Sequence, residues 1–453
     1  MTSPQAPEPV LHGMARFRMF LLSLPPAKML LFGYALYMVT GWILLALPFA
    51  QEVPVAPIDT LFIATSAVST TGLVTVDPGT SFTLFGEIVI ILLIQAGGLG
   101  YMTLGSFAAL ALQNKLSPVR EKATRSAFNL PEDIKIGPFI RSVVIFTLIC
   151  EAIGALILYF MFRAEGVEGA VWSAIFHAIS AFCTAGFSLN STSLEAFRDN
   201  AGINIVVSVL CILGAMGFLI VVDGWRNFTG KARHLGFTSK VIVRITMSFL
   251  LLGTIFIFVA DASLQELAPR ERLLAAFFQT MTASTTVGFN THPISAMSLS
   301  VIVVLFFLMV IGASPSGTGG GLKTTSFAAL VGLVRSTLKG RERVRFAKRQ
   351  VRLKTLQTAT AGLAYYMVLM LVAMMLLFLT EPAAAFEVVM FEVISALGTV
   401  GLSLGITGDL SVLGKVIVII LMTAGRVGIL TFGIAIAAHD ESREEERDNE
   451  LVC

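Results

Sequence analysis

Four short segments of the chain share one pattern, and this repeat constrains the fold more than any other feature. The segments read FIATSAVSTTGL (62–73), FHAISAFCTAGF (176–187), FQTMTASTTVGF (278–289) and FEVISALGTVGL (391–402). Each has Phe ten residues, Ser or Thr six, Ala five and Thr two residues before a glycine. These glycines lie 114, 102 and 113 residues apart, so the chain is a fourfold repeat.

Each segment lies between two apolar runs. The eight runs are near 29–49, 84–112, 139–162, 202–222, 241–260, 299–334, 359–379 and 411–437. With 55% hydrophobic and 13% charged residues, the chain is too apolar for a soluble protein of this length. We therefore predict an all-α polytopic membrane protein. Four parallel repeats surround one central pore. Each repeat consists of a span, a short re-entrant pore helix with its turn, and a second span.

The positive charges predict the orientation of the spans. Of 32 Lys and Arg residues, 23 lie before the first span or after the second, fourth and sixth, and five lie on the opposite side. By the positive-inside rule, both termini are cytoplasmic and the four short segments enter a cytoplasmic membrane from outside. No removable signal peptide is predicted at the N-terminus.

The second span of the third repeat is interrupted by GASPSGTGGGLKTT (312–325). If that backbone were exposed to lipid, each unsatisfied polar group would cost roughly a few kcal/mol. Protein or a watery cavity must therefore shield the segment. The predicted divisions are a cytoplasmic N-terminal segment (1–27), repeats at 28–125, 126–234, 235–354 and 355–438, and an acidic cytoplasmic tail (439–453).

The T-x-G turns can form a cation site. A re-entrant helix ends with free carbonyls, and glycine lets the backbone approach an ion closely. Four such turns give rings of carbonyl oxygens for a monovalent cation, and the absence of carboxylates there argues against Ca²⁺ or Mg²⁺. The alternative is that each turn only closes a loop that caps a helix bundle. The predicted filter residues are Thr70, Thr71, Gly72, Thr184, Ala185, Gly186, Thr286, Val287, Gly288, Thr399, Val400 and Gly401.

The motifs TTVGF and GTVGL resemble the potassium-channel signature T-V-G-Y-G, reduced to one glycine. Four degenerate copies between spans resemble the superfamily of potassium transporters that includes the bacterial Trk and Ktr systems and the plant high-affinity transporters. The resemblance covers about residues 28–438, and with eight spans the chain is most similar to the membrane subunit of Ktr systems.

This resemblance implies a potassium-channel-like fold and potassium uptake by the translocating subunit of a regulated system. It implies that K⁺ is coordinated at four glycines, Gly72, Gly186, Gly288 and Gly401. Relatives with serine at the first of these positions tend to carry sodium, so Gly72 favours potassium.

The resemblance also implies that the segment 312–325 is an intramembrane loop that obstructs the pore and moves on activation. Its glycines favour mobility, and its hydroxyls tolerate water. The predicted gate residues are Gly312, Ala313, Ser314, Pro315, Ser316, Gly317, Thr318, Gly319, Gly320, Gly321, Lys323 and Arg426.

Alternatives for this region stay open at the level of the sequence. The segment could be a static kink, or a phosphate-binding P-loop in which Leu322 replaces the second glycine. Arg426 matches the arginine that the family places beneath the filter, but it could instead pair with Glu87 or Glu151. Lys323 could act in the gate or extend towards the cytoplasm.

Partners are predicted from charge and from the resemblance. Nine basic residues between Arg335 and Lys354 predict contact with anionic membrane lipids. The resemblance adds a soluble, nucleotide-binding regulatory ring and a homodimer with one pore per subunit. The net charge of +3 is too small to indicate nucleic acid. No cofactor is predicted in the chain; K⁺ is the transported ion and Na⁺ a candidate activator.

Two other functions are alternatives to potassium uptake. One is a sodium-coupled potassium symporter or a sodium-permeable cation transporter of the same superfamily. The other is an intramembrane enzyme, which we do not predict because the spans carry no paired nucleophile and base and no metal cluster.

Overall fold

The structure is a computed structural model that describes residues 26–100, 135–228, 236–347 and 349–437. The predicted acidic tail and nearly all of the segment 1–27 lie outside these residues. The described helices are α1 (Pro26–Leu45), α2 (Pro57–Ser69), α3 (Pro78–Ser81), α4 (Leu84–Leu99), α5 (Ile136–Ala164), α6 (Ala170–Phe182), α7 (Ala201–Met216), α8 (Phe218–Phe228), α9 (Phe237–Ala260), α10 (Pro269–Thr285), α11 (Leu299–Val310), α12 (Thr324–Thr337), α13 (Leu353–Thr380), α14 (Phe386–Gly398), α15 (Val412–Val427) and α16 (Ile429–Ala437).

One order of helices recurs along the described chain. A long helix (α1, α5, α9 or α13) precedes a short one (α2, α6, α10 or α14), a T-x-G turn and a third helix (α4, α7, α11 or α15). Each long helix packs against the short helix that follows it. The phenylalanine that opens each pattern is fully buried in the short helix, at Phe62, Phe176, Phe278 and Phe391. The short helices are therefore fixed in the interior.

The long helices have the character of membrane spans. In the described part of the chain, α1, α5, α9 and α13 are each long and apolar enough to cross a bilayer. The number rises to six if the bent pairs α7–α8 and α15–α16 each count as one span. Outward residues such as Leu156, Leu252 and Leu371 are exposed, as on helices that face lipid. The eight predicted spans stay a prediction.

Two apolar runs that the sequence predicts to be single spans are bent. Helices α7 and α8 meet at 94° around Gly217, and α15 and α16 meet at 105° around Gly428. Both glycines have positive φ, 88° and 98°, a conformation that glycine adopts without steric cost. Helix α4 also ends before a positive-φ glycine, Gly100, and the rest of that predicted run lies outside the described residues.

The described chain is helical, as predicted, apart from one short hairpin. Strands β1 (Arg345–Phe346) and β2 (Arg349–Gln350) pair antiparallel within the basic connector. Ala347 has a φ of 47°, which turns the backbone between them. The Arg345 N–H donates to Ser336 Oγ at 3.1 Å and so holds the hairpin against α12.

Candidate functional site

The four T-x-G turns have the same backbone conformation. Their threonines lie in the left-handed region, with φ of 51° at Thr70, 52° at Thr184, 56° at Thr286 and 49° at Thr399. β-Branched residues rarely adopt this conformation, which costs roughly 1–3 kcal/mol per residue. In each turn, the N–H of the residue that follows the threonine donates to a carbonyl of the short helix at 2.8–3.1 Å. These bonds help to hold the strained turn.

The backbones of these turns form a closed ring, called here the turn ring. A Cβ added to each glycine would lie 2.1–2.4 Å from the carbonyl oxygen of the middle residue of the next T-x-G turn. The pairs are Gly72 with Ala185, Gly186 with Val287, Gly288 with Val400, and Gly401 with Thr71. A Cβ at such a distance would force the neighbouring carbonyl oxygen to shift, so this arrangement favours glycine at all four positions. The structure therefore brings together the four turns that hold the predicted filter residues.

The Ser or Thr six residues before each glycine has a role that the sequence analysis did not assign. Ser66 Oγ accepts from the Gly72 N–H at 3.1 Å, Thr282 Oγ1 from Gly288 at 3.0 Å, and Ser395 Oγ from Gly401 at 3.1 Å. In the second repeat, Ser180 Oγ instead donates to the Phe187 carbonyl at 2.8 Å. These hydroxyls hold the turns from behind. The recurrence of Ser or Thr at this position was the available signal.

Polar side chains behind the ring are also paired. His177 lies between Ser173 and Ser188, with ring nitrogens 2.7 Å from the Ser173 carbonyl and 2.9 Å from Ser188 Oγ. Glu392 accepts from Ser403 at 2.8 Å and from Thr407 at 2.6 Å. Both side chains are fully buried, so they tie the short helices to the segments that follow the turns.

A cavity of about 450 Å³, the mouth cavity, opens on one side of the turn ring. All four ring glycines line it, together with polar residues of the segments that follow the turns. Glu195 is among them and accepts from Asn290 Nδ2 at 2.6 Å. Burial raises the pKa of the Glu195 carboxyl above its ordinary value, against the opposing effects of this hydrogen bond and of Arg198.

The interrupted segment lies directly against the other side of the ring. We call residues 311–323, between α11 and α12, the loop. Thr318 Oγ1 lies 3.0 Å from Thr184 Oγ1. A Cβ on Gly319 would lie 2.3 Å from Thr286 Oγ1, and one on Gly320 would lie 2.2 Å from Thr399 Oγ1. The loop backbone thus fills the space beneath the ring threonines.

The first half of the loop is attached to the break between α7 and α8. The N–H and the hydroxyl of Ser314 both donate to the Ala215 carbonyl, at 3.1 and 2.8 Å. The Phe218 N–H donates to the Ser316 carbonyl at 3.1 Å, and Gly317 packs against Ala215. The positive φ of Gly217 opens the helix at this point and so makes room for the loop.

Arg426 joins the loop to the ring. Its Nη1 donates to Thr70 Oγ1 at 2.8 Å and to the Thr318 carbonyl, and its Nη2 donates to the Gly97 carbonyl. The alternative partners are engaged elsewhere. Glu87 accepts from Trp172 Nε1 at 2.5 Å, and Glu151 accepts from Gln95 Nε2 at 3.1 Å. Arg426 therefore bridges three elements through oxygen atoms that carry no net charge.

Lys323 binds the loop from the side opposite the ring. Its Nζ donates to the Gly319 carbonyl at 2.7 Å and to the Gly320 carbonyl at 3.4 Å. The segment is preceded by a helix and its lysine is turned onto the loop's own carbonyls, so it lacks the geometry of a P-loop. A second cavity of about 330 Å³, the loop-side cavity, is lined by Lys323, Arg426 and the breaks at Gly100 and Gly428.

The fold is that of a helical protein with membrane-span candidates, in which one order of helices and turns recurs. A family model described as TrkH, cation transport protein, matches residues 38–446. The chain belongs to this family, which confirms the predicted resemblance and agrees with the expectation that it is not an enzyme.

The chain is similar to three named uptake proteins over most of its length. It is 34% identical to Ktr system potassium uptake protein B of Vibrio alginolyticus, over 90% of this chain and 91% of that protein. It is 33% identical to the protein of the same name in Bacillus subtilis, over 94% and 96%. It is also 34% identical to potassium/sodium uptake protein NtpJ of Enterococcus hirae, over 90% and 92%.

The fold is also found in a solved structure. The crystal structure of the potassium transporter TrkH from Vibrio parahaemolyticus matches with a TM-score of 0.70 and 19% sequence identity. The match covers 91% of this chain and 84% of that one.

Proposed function

We propose that this protein takes up potassium across the cytoplasmic membrane as the translocating subunit of a Ktr-type system. The observation that carries the proposal is the turn ring, in which four glycines each touch the carbonyl oxygen of the next turn. Such a ring can replace the hydration shell of a monovalent cation. The names of the relatives from Vibrio alginolyticus and Bacillus subtilis support potassium as that cation.

The proposed path runs from the mouth cavity through the turn ring to the loop-side cavity. In this proposal the loop is the gate, because its backbone lies across the path between the two cavities. Arg426 adds an electrostatic barrier. At an effective dielectric constant of about 20, two unit charges about 5–6 Å apart repel by roughly 3 kcal/mol. That repulsion lowers the occupancy of a cation beneath the ring on the order of 100-fold.

The arrangement in the membrane is part of the same proposal. Eight spans and four re-entrant segments would place the mouth cavity outside, with both termini and the basic connector in the cytoplasm. The connector 335–354 would contact anionic lipid and dock a soluble, nucleotide-binding ring that shifts the loop between closed and open positions. The active assembly would be a homodimer with one pore per subunit.

Ion flux through the purified full chain in liposomes tests this function. We expect rubidium and potassium to enter faster than sodium, and removal of residues 313–321 to raise the basal rate. Gly72→Ser is expected to weaken the preference for potassium, since it adds a hydroxyl and a Cβ, and the Cβ would lie 2.4 Å from the Ala185 carbonyl oxygen. Equal rates for potassium and sodium in the intact protein, or no flux after removal of the loop, would contradict the proposal.

A second function is favoured by the name of the Enterococcus hirae relative, a potassium/sodium uptake protein. In this alternative the protein is a sodium-coupled symporter or a sodium-permeable transporter of the same superfamily. Rubidium uptake with and without external sodium separates the two. A fixed sodium-to-potassium stoichiometry supports the symporter, whereas flux in the absence of sodium supports the gated pore with Na⁺ as an activator at most.

A further inference from the structure

Two of the ring threonines bind the gate, and the other two do not. Thr70 Oγ1 accepts from Arg426 at 2.8 Å, and Thr184 Oγ1 lies within hydrogen-bond distance of Thr318 Oγ1, at 3.0 Å. Among the described residues, Thr286 Oγ1 and Thr399 Oγ1 have no hydrogen-bond partner. Threonines that are equivalent in the sequence repeat and in backbone conformation therefore fall into two pairs.

The two unpaired hydroxyls are covered rather than free. Gly319 lies against Thr286 and Gly320 against Thr399, so closely that neither glycine could carry a Cβ. A hydroxyl that a glycine covers this closely is shielded from water and from an ion. The closed loop therefore occupies the space in front of both hydroxyls, where a cation beneath the ring would bind.

We propose that the loop and a potassium ion compete for the site formed by the four ring hydroxyls. The inference rests on the proposed function, because it assumes that K⁺ passes the ring. With the loop closed, Gly319 and Gly320 fill this site and Arg426 holds a positive charge on Thr70. With the loop released, all four hydroxyls face the path, and a dehydrated K⁺ can bind them.

A regulatory consequence follows from this competition. A ligand that binds one of two states shifts the equilibrium towards that state. Potassium at the hydroxyl site therefore favours the open loop, and loss of potassium favours closure. The hydroxyls of Thr70 and Thr184 act as positioning groups for the loop when the ion is absent.

Paired substitutions in the ring test the division of the threonines. Thr70→Val with Thr184→Val removes the two hydroxyls that bind the loop, and Thr286→Val with Thr399→Val removes the same number without touching those bonds. We expect the first pair to show a basal potassium flux about tenfold or more above the second, because one lost bond is charge-assisted. Equal fluxes in the two pairs would overturn the inference.

The same pairs in a chain that lacks residues 313–321 supply the control for damage to the ring. Without the loop, the two pairs are expected to carry equal flux, because each has lost two of four hydroxyls. A difference that persists without the loop would assign the effect to the ring and overturn the inference.

A cysteine in the loop tests the competition itself. Ser314 is buried and bonded to Ala215, so Ser314→Cys reports release of the loop by its rate of reaction with a water-soluble thiosulfonate. The native cysteines, Cys150, Cys183, Cys211 and Cys453, are first replaced by alanine.

We expect this rate to rise several-fold in potassium relative to choline, and to be high in both for Thr70→Val with Thr184→Val. A rate that is the same in potassium and in choline, in an otherwise intact chain, would overturn the competition. The proposed function would fail differently, through the absence of selective potassium flux in liposomes.

Discussion

The turn ring and the layer beneath it follow different symmetries. In the ring, each of the four turns repeats one threonine conformation and one contact between a glycine and a carbonyl oxygen. Beneath it, α4 ends before Gly100, α7 and α15 bend at single glycines, and α11 gives way to the loop. In the proposed function, coordination of an ion uses four equal contributions, whereas control of its passage uses one segment and one charge.

The strongest test of the ring side of this comparison is Gly288→Ala. Gly288 has a φ of 93°, and an added Cβ would lie 2.4 Å from the Val400 carbonyl oxygen. We expect selective potassium flux to fall at least on the order of 100-fold, the equivalent of about 3 kcal/mol of strain. Gly405→Ala is the matched control, because Gly405 has a φ of 105° with no atom within 4 Å of the added Cβ. Equal losses in both variants would mean that backbone strain alone, and not ring contact, matters.

Arg426→Gln tests the layer beneath the turn ring. The variant loses a charge-assisted bond to Thr70 and weakens those to the Thr318 and Gly97 carbonyls. Such bonds contribute about 1.5–3 kcal/mol each, so basal flux is expected to rise about 10- to 100-fold. Arg163→Gln removes the same charge from an exposed position and should leave the rate near that of the unaltered protein. Unchanged flux in Arg426→Gln would mean that the loop is held by other contacts.

The hydrogen bonds behind the ring give a smaller effect. Ser66→Ala removes the acceptor for the Gly72 N–H, a bond that contributes about 0.5–1.5 kcal/mol. The preference for potassium over sodium, measured in liposomes, is expected to fall a few-fold. Ser180→Ala removes a bond to the Phe187 carbonyl instead of one to a ring glycine, and should change the preference less. The reverse order of effects would contradict the assigned role.

The smallest expected effect is a dependence on external pH. Burial raises the pKa of Glu195 at the mouth cavity, so the carboxylate is protonated at a higher pH than an exposed one. Since the charged form attracts cations, potassium uptake at low concentration should decline by about twofold as pH falls through that raised pKa. Glu195→Gln should lower uptake at neutral pH and flatten this profile. A variant with the original profile would remove Glu195 from the account.

The repeated parts of the molecule could be predicted from the sequence because repetition shows which residues matter. Four copies of Phe, Thr and Gly at one spacing predicted the turns that the structure brings into the ring. The family assignment from the same motifs is confirmed. Their roles in coordination stay a prediction until flux is measured.

The unrepeated parts were harder to predict, for physical reasons. Gly217 and Gly428 bend apolar runs that contain no proline at the bend, and glycine in such a run is also tolerated in a straight helix. The partners of Arg426 are a hydroxyl and two carbonyls from distant parts of the chain, which carry no charge signal in the sequence. The hairpin β1–β2 is too short to show a strand pattern.

In the proposed function, the ring selects the ion and the loop controls only the rate of its passage. Gly320→Ala tests it most directly, because its Cβ would lie 2.2 Å from Thr399 Oγ1 and keep the loop from seating. Gly362→Ala is the control, since its Cβ would meet only Leu322 at 3.9 Å. In one liposome preparation of each, we predict about tenfold higher basal potassium flux for Gly320→Ala with an unchanged preference for potassium over sodium. An unaltered flux, or a higher flux without the preference for potassium, would contradict this division of roles between the ring and the loop.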